Sequence, residues 1–263
     1  MATGRERIMK ERVIDIATRD GAMETFITHP EQGGPFPAVV VYMDVWGIRE
    51  ELYDVARRIA TVGYYAMVPD FYYRQGRIRH EFRDRNNRMI SLHSLSEADQ
   101  KRVTDPLTKL PNHLVVDDTN SLIAFAGQDP QVRSGGMGSI GFCMGGRHVM
   151  CVAAAFPEHF VASAGLHPTS LISDRKSSPH KDVGKMRGEV YCGFAETDPY
   201  APLSMVAELA ALFKASPAKY HHEIHKGAVH GYALPDRDIY DKRAANRDWE
   251  LIFAMYRRQI PPG

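Results

Sequence analysis

Gly136-Met137-Gly138-Ser139-Ile140-Gly141-Phe142-Cys143-Met144-Gly145-Gly146 reads as a short strand, a Gly-x-Cys-x-Gly turn and the opening of a helix. Such a strand–elbow–helix turn lifts one nucleophilic side chain onto a strained backbone. Here that side chain is the thiol of Cys143. The flanking glycines fit because a Cβ at Gly141 or Gly145 is expected to collide with neighbouring backbone. A helix starting at Met144 would aim free N–H groups and its positive end at the sulfur, a setting suited to a nucleophilic thiolate.

Working outward from the elbow, apolar runs of strand length alternate with amphipathic runs of helix length. Strands are expected at Pro37–Met43, Tyr64–Val68, Gly136–Ile140, Val161–Leu166, Glu189–Cys192 and Tyr220–Ile224. Helices are expected at Glu50–Val62, His113–Phe125, Met144–Ala155, Leu203–Lys214 and Asp241–Arg258. Two further strands fall between Arg12 and Thr28, broken by Arg19-Asp20-Gly21. This alternation with continuously apolar strands predicts an α/β fold, a mostly parallel sheet with helices on both faces, in one domain over residues 1–263. Tyr72–Pro111 breaks the rhythm and is rich in arginine (Arg74, Arg77, Arg79, Arg83, Arg85, Arg88). It is expected to be a helical, lid-like insertion leaving the ligand-binding edge of the sheet, with arginines that could attract anions. Thr169–Gly188 reads as a surface loop.

Bulk composition excludes several classes. The chain has 263 residues, 33 basic against 32 acidic side chains and a net charge of +1, so no nucleic-acid or membrane partner is expected. Met1–Lys10 is polar and charged, without the apolar core of a signal sequence. The three cysteines, Cys143, Cys151 and Cys192, form neither a CxxC pair nor a metal-ligand spacing. No metal and no cofactor are expected, and the cytoplasm is the expected location. A homodimer remains open.

A thiol nucleophile needs a base, an orienting acid and two oxyanion donors. Of 12 histidines, His230 lies in a glycine-flanked loop after the last strand, the position the chain order Cys–acid–His requires. His221, His222 and His225 read instead as sheet-edge surface. Asp198, in the loop after the preceding strand, is the candidate acid, with Glu196 its nearest rival. The backbone N–H groups of Val45 and Met144 are the candidate oxyanion donors. Trp46, His167, Tyr232 and Leu234 are candidate pocket walls, while Cys151 and Cys192 read as core.

These pieces together resemble the dienelactone hydrolase (carboxymethylenebutenolidase-like) family of the α/β-hydrolase superfamily, from about Arg12 to Arg258. The resemblance rests on Met43-Asp44-Val45-Trp46-Gly47-Ile48, Val68-Pro69-Asp70, the cysteine elbow, Glu196-Thr197-Asp198-Pro199 and Gly227-Ala228-Val229-His230-Gly231. It implies Cys143 as nucleophile, His230 as base and Asp198 as orienting acid, acting on a lactone, enol ester or related activated ester through a thioester acyl-enzyme. It also implies that Asp44 stands where family members carry a glutamate that holds the thiol proton. Leu234 takes the place of an arginine that in some members pairs with a substrate carboxylate. A cysteine acyltransferase would use the same residues, and a catalytically silent binding or sensor protein would keep the thiol without turnover.

Overall fold

The computed structural model describes residues 8–263. Most of the charged N-terminal stretch, residues 1–7, lies outside the described residues. Eight strands form one sheet: β1 Met9–Thr18, β2 Gly21–Pro30, β3 Ala38–Tyr42, β4 Tyr65–Pro69, β5 Met137–Phe142, β6 Phe160–Leu166, β7 Glu189–Thr197 and β8 Lys219–Val229. Among the described residues six α-helices accompany them: α1 Glu50–Thr61, α2 Glu97–Thr108, α3 Asn112–Ala126, α4 Met144–Ala155, α5 Leu203–Phe213 and α6 Lys242–Gln259. The strand order is β1-β2-β4-β3-β5-β6-β7-β8. β1 and β2 pair antiparallel, as do β2 and β4, and every later pairing is parallel.

Burial explains the order. β3, β4 and β5 are buried at every residue, as expected of central strands covered on two sides. Along β7 the side chains alternate between two environments. Val190, Cys192 and Phe194 pack with Met150 of α4 and Leu209 of α5, while Tyr191 and Ala195 join the side that holds Trp249 and Ile252 of α6. Helices therefore cover both faces. α1 buries Leu52, Val55, Ala56, Ile59 and Ala60 and turns Glu50, Asp54 and Arg57 outward into an ion-pair cluster. α6 is capped by Asp241, whose carboxylate accepts from the N–H groups of Arg243 and Ala244.

Two sequence expectations need correcting. β7 and β8 run on to Thr197 and Val229, past the expected ends at Cys192 and Ile224. Glu196, Thr197 and Lys226 make these ends look like loop, yet the strands pair in register to Ala195↔His225 and, after a bulge-like shift in register, again at Thr197↔Val229. The 72–111 insertion is only partly helical: α2 and short 3-10 turns at Tyr73–Gln75 and Leu92–Ser94 stand in otherwise irregular chain. The Thr169–Gly188 loop likewise contains a 3-10 segment, Pro179–Lys185. Among the described residues, no helix is long and apolar enough to cross a membrane.

Candidate active site

The longer strands put three polar residues at one edge of the sheet. Cys143 directly follows Phe142 of β5, Asp198 follows Thr197 of β7, and His230 follows Val229 of β8. Cys143 has φ +56° and ψ −115°, a left-handed conformation uncommon for a residue with a Cβ. The surroundings enforce it. A Cβ at Gly141 would run into the Gly145 carbonyl, and one at Gly145 into the Tyr42 and Met43 carbonyls, so α4 packs directly on backbone.

His230 bridges the other two. Its Nε2 lies 3.2 Å from Cys143 Sγ and its Nδ1 lies 2.7 Å from Asp198 Oδ2. The other carboxylate oxygen, Asp198 Oδ1, accepts the Tyr200 N–H at 2.8 Å, which fixes the carboxylate plane. Burial works against charge on His230, but the Cys143 sulfur and the Asp198 carboxylate outweigh it and raise its pKa to about 10. Glu196, the rival acid, points elsewhere and accepts the Gly227 N–H at 2.9 Å.

Val45 and Met144, the two expected donors, line the same cavity as Cys143. Met144 is the first residue of α4, where no intrahelical acceptor exists for its N–H. Val45 lies in the loop after β3, and its N–H makes no hydrogen bond among the described residues. Tyr72 holds that loop down, its hydroxyl donating to the Val45 carbonyl at 3.2 Å.

Asp44 does not reach the thiol. Arg49 donates to both its oxygens, at 2.7 and 2.9 Å, and the Trp46 N–H adds a third bond at 3.1 Å. Arg49 also holds Asp236 through Nε at 2.5 Å. Held by these three hydrogen bonds, Asp44 braces the Val45 loop, and the expected exchange of a proton with Cys143 has no contact to run through. Although burial opposes it, the two carboxylates raise the Arg49 pKa further.

A cavity of about 490 Å³ opens over Cys143 and His230. Ser91, Leu92, His93, Thr104 and Leu107 of the insertion form one wall; Trp46, Tyr200 and Ile239 contribute others. Of the expected wall residues only Trp46 lines it. His167, Tyr232 and Leu234 are buried and do not line it. The His167 ring sits edge-on to His230 at 5.1 Å between centroids and to Tyr232 at 5.5 Å. Tyr232 donates to Asp248 at 2.6 Å, and that buried carboxylate also accepts from Tyr191 and from His225 Nε2, each at 2.6 Å. His225 is thus a buried anchor, correcting its reading as sheet-edge surface.

The insertion arginines are equally misplaced by sequence. Arg74 pairs with Asp20 and Asp118, Arg77 with Glu24, and Arg79 with Glu24 and Asp70, and none of them lines the cavity. The guanidinium groups that do line it are Arg147 and Arg237. Arg237 is 6% exposed, lies over the Trp46 ring at 5.0 Å, and makes no ion pair among the described residues. Arg147 stands four residues after Cys143, one turn along the same helix, a spacing that could have flagged it. Cys192, fully buried, and Cys151 have thiol pKa values pushed up to about 12, chiefly by burial. Among the described residues no cluster of His, Cys, Asp and Glu is arranged to hold a metal.

Known proteins share this architecture. The chain is 24% identical over 249 residues to a Methylorubrum extorquens protein named "putative carboxymethylenebutenolidase", covering 93% of this chain and 80% of that one. It is 25% identical over 254 residues to a Bradyrhizobium protein named "probable 2-oxo-3-(5-oxofuran-2-ylidene)propanoate lactonase", covering 92% and 93%. Among solved structures, a "putative dienelactone hydrolase" from Klebsiella pneumoniae superposes with a TM-score of 0.80 at 21% identity, covering 95% of this chain and 98% of that one. A dienelactone hydrolase-like promiscuous phosphotriesterase from metagenomic libraries gives 0.73 at 18%, covering 96% and 99%. At these identities the structural likeness speaks for the fold alone. The model of the dienelactone hydrolase family matches residues 23–259, nearly the whole chain, and the protein therefore belongs to this family of α/β-hydrolase enzymes that cleave esters and lactones.

Proposed function

We propose that the protein hydrolyses lactones, enol esters or similarly activated esters through a thioester on Cys143. The observation that carries this reading is the continuous hydrogen-bonded line Cys143–His230–Asp198 at the floor of the cavity. His230 takes the thiol proton, and Asp198 fixes its tautomer and stabilises the imidazolium. The thiolate attacks the carbonyl carbon, and the oxygen that gains charge is received by the Val45 and Met144 N–H groups. Collapse of the tetrahedral intermediate breaks the bond to the leaving oxygen, which takes the proton from His230. His230 then removes a proton from water, hydroxide attacks the thioester, and the Cys143 thiolate leaves with the proton returned to it.

The insertion acts as the lid of this site, since its residues wall the cavity. Arg237 replaces the arginine lost at Leu234: buried and unpaired, it would receive a carboxylate or enolate beside the scissile bond. The lactonase name of the Bradyrhizobium relative supports a lactone as one such substrate. Three free thiols suit a reducing compartment such as the cytoplasm.

The test is turnover of an enol-lactone and of p-nitrophenyl acetate, with mass spectrometry of quenched enzyme. An acyl adduct on the Cys143 peptide and loss of turnover in Cys143→Ala support the reading. Undiminished turnover by that variant would overturn it.

A further inference from the structure

A second cavity of about 390 Å³ adjoins the first and shares with it the walls formed by Leu107, Arg147 and Ser170. Its other lining residues include Asn112, Ser173, Arg175 and Ser177. No carboxylate side chain lines either cavity.

Arg147 stands at the junction with neutral partners only. Its Nε donates to Asn112 Oδ1 at 3.1 Å and Nη1 to Thr169 Oγ1 at 3.4 Å, and it makes no ion pair among the described residues. Burial lowers its pKa against the attraction of the nearby Cys143 and Cys151 sulfurs, and Arg175 adds like-charge repulsion; no carboxylate offsets the cost. Arg175 likewise makes no ion pair among the described residues, and the hydroxyls of Ser170, Ser173 and Ser177 make no hydrogen bond there. A largely desolvated guanidinium without a counter-ion is costly, and its natural complement is an anion bound between the two arginines. Arg49 and Arg74 have carboxylate partners, and Arg58 and Arg237 lie over the Trp249 and Trp46 rings. Arg147 has neither, which leaves its cleft open for a ligand's charge.

We propose that this second cavity is a subsite for a carboxylate at the far end of the substrate's acyl chain, gripped by Arg147 with Arg175 at the rim. The inference rests on ester cleavage at Cys143 and adds to it a substrate shape. The leaving oxygen must face His230, which supplies its proton, so the acyl chain takes the branch past Leu107 to Arg147. An extended acyl chain with an anionic terminus is thereby preferred over a compact ring alone. Guanidinium–carboxylate forks are geometrically selective, so lysine at this position should restore charge but only part of the preference.

The experiment compares p-nitrophenyl hemiesters of succinate, glutarate, adipate and suberate with their terminal methyl esters, which have the same chain without the charge. In the wild type the charged member should win by about tenfold or more in kcat/KM, mainly through KM, and the advantage should grow with chain length. In Arg147→Gln the ratio of charged to neutral should collapse towards unity, with partial recovery in Arg147→Lys. Absence of a charge preference in the wild type, or an Arg147→Gln loss that is equal for both members, would overturn the subsite. Failure to cleave even p-nitrophenyl acetate would count against the proposed reaction instead. The subsite is then read by calorimetry of monomethyl adipate binding to Cys143→Ala. Binding that Arg147→Gln weakens tenfold supports it, and binding that Arg147→Gln leaves unaltered refutes it.

Discussion

Arg49 grips Asp44 through two parallel hydrogen bonds and reaches across with the same guanidinium to Asp236, 187 residues away in sequence. The pair is buried, so removing one partner strands the other's charge. Arg49→Ala should cost about 3–5 kcal/mol in denaturant unfolding, and Arg49→Ala with Asp44→Ala should cost less than the sum of the two. Because the pair braces the Val45 loop, the loss in activity should appear in kcat more than in KM. Additive unfolding costs would show that the two residues act independently.

Asp198→Asn keeps the shape of the acid but favours the wrong imidazole tautomer. A fall in kcat of about 10²–10⁴-fold is expected, with circular dichroism unchanged. Combining it with His230→Ala should add little to the single histidine variant, since the line acts as a unit. Multiplying losses would argue against the shared path.

Stability should peak near pH 6.5. His148 and His167 are fully buried, none of their ring nitrogens has a hydrogen-bond partner, and burial depresses both pKa values well below the ordinary one. Below about pH 6.5 the unfolded chain binds protons that the folded chain refuses, so stability falls with acid, by up to about 1.4 kcal/mol per pH unit for each histidine. His230 works in the other direction. Its raised pKa makes its protonation stabilising in full below the unfolded value and progressively lost as pH rises towards about 10. Urea midpoints across pH should show both limbs. His148→Phe should flatten the acid limb and His230→Gln the alkaline one; a limb that persists in its variant assigns it elsewhere.

Asp248 accepts three hydrogen bonds with no exposure at all. Asp248→Ala would leave Tyr191, Tyr232 and His225 with buried, unsatisfied donors, and a loss of several kcal/mol is expected. Since Tyr232 backs His167, which backs His230, kcat should fall in the folded fraction as well. A fully stable variant with normal kcat would show that water takes over the carboxylate's role.

The elbow was legible because it is local: strand-length apolar residues, glycines at fixed offsets and a helix start all lie within about a dozen positions. The chain order of Cys143, Asp198 and His230 was legible for the same reason, each following a strand. The pocket walls were not. His167, Tyr232 and Leu234 are close in sequence to strand ends, but the Tyr232 N–H turns back onto the Val229 carbonyl at 3.2 Å and sends the chain inward. Which arginines stay uncompensated is a tertiary matter. Arg74 and Arg79 pair with carboxylates 44 or more residues away, at Asp118 and Glu24, whereas Arg147 has no carboxylate near it and Arg237 feels Asp44, Asp236 and Asp238 without an ion-pair contact. Arg49, which ties up Asp44, stands only five residues from it, but its contact with Asp236, 187 residues on, has no signature in either segment alone.

The separation of 87 positions from Cys143 to His230 also sets an order in time. At roughly 5–20 residues per second, the ribosome makes the elbow about 4–17 s before it makes the imidazole that lies against it. During that interval the thiol lacks the imidazole that lies 3.2 Å from it in the folded chain, and the cavity lacks Arg237 and Ile239. On the proposed reaction, turnover would begin only once β8 has joined the edge of the sheet.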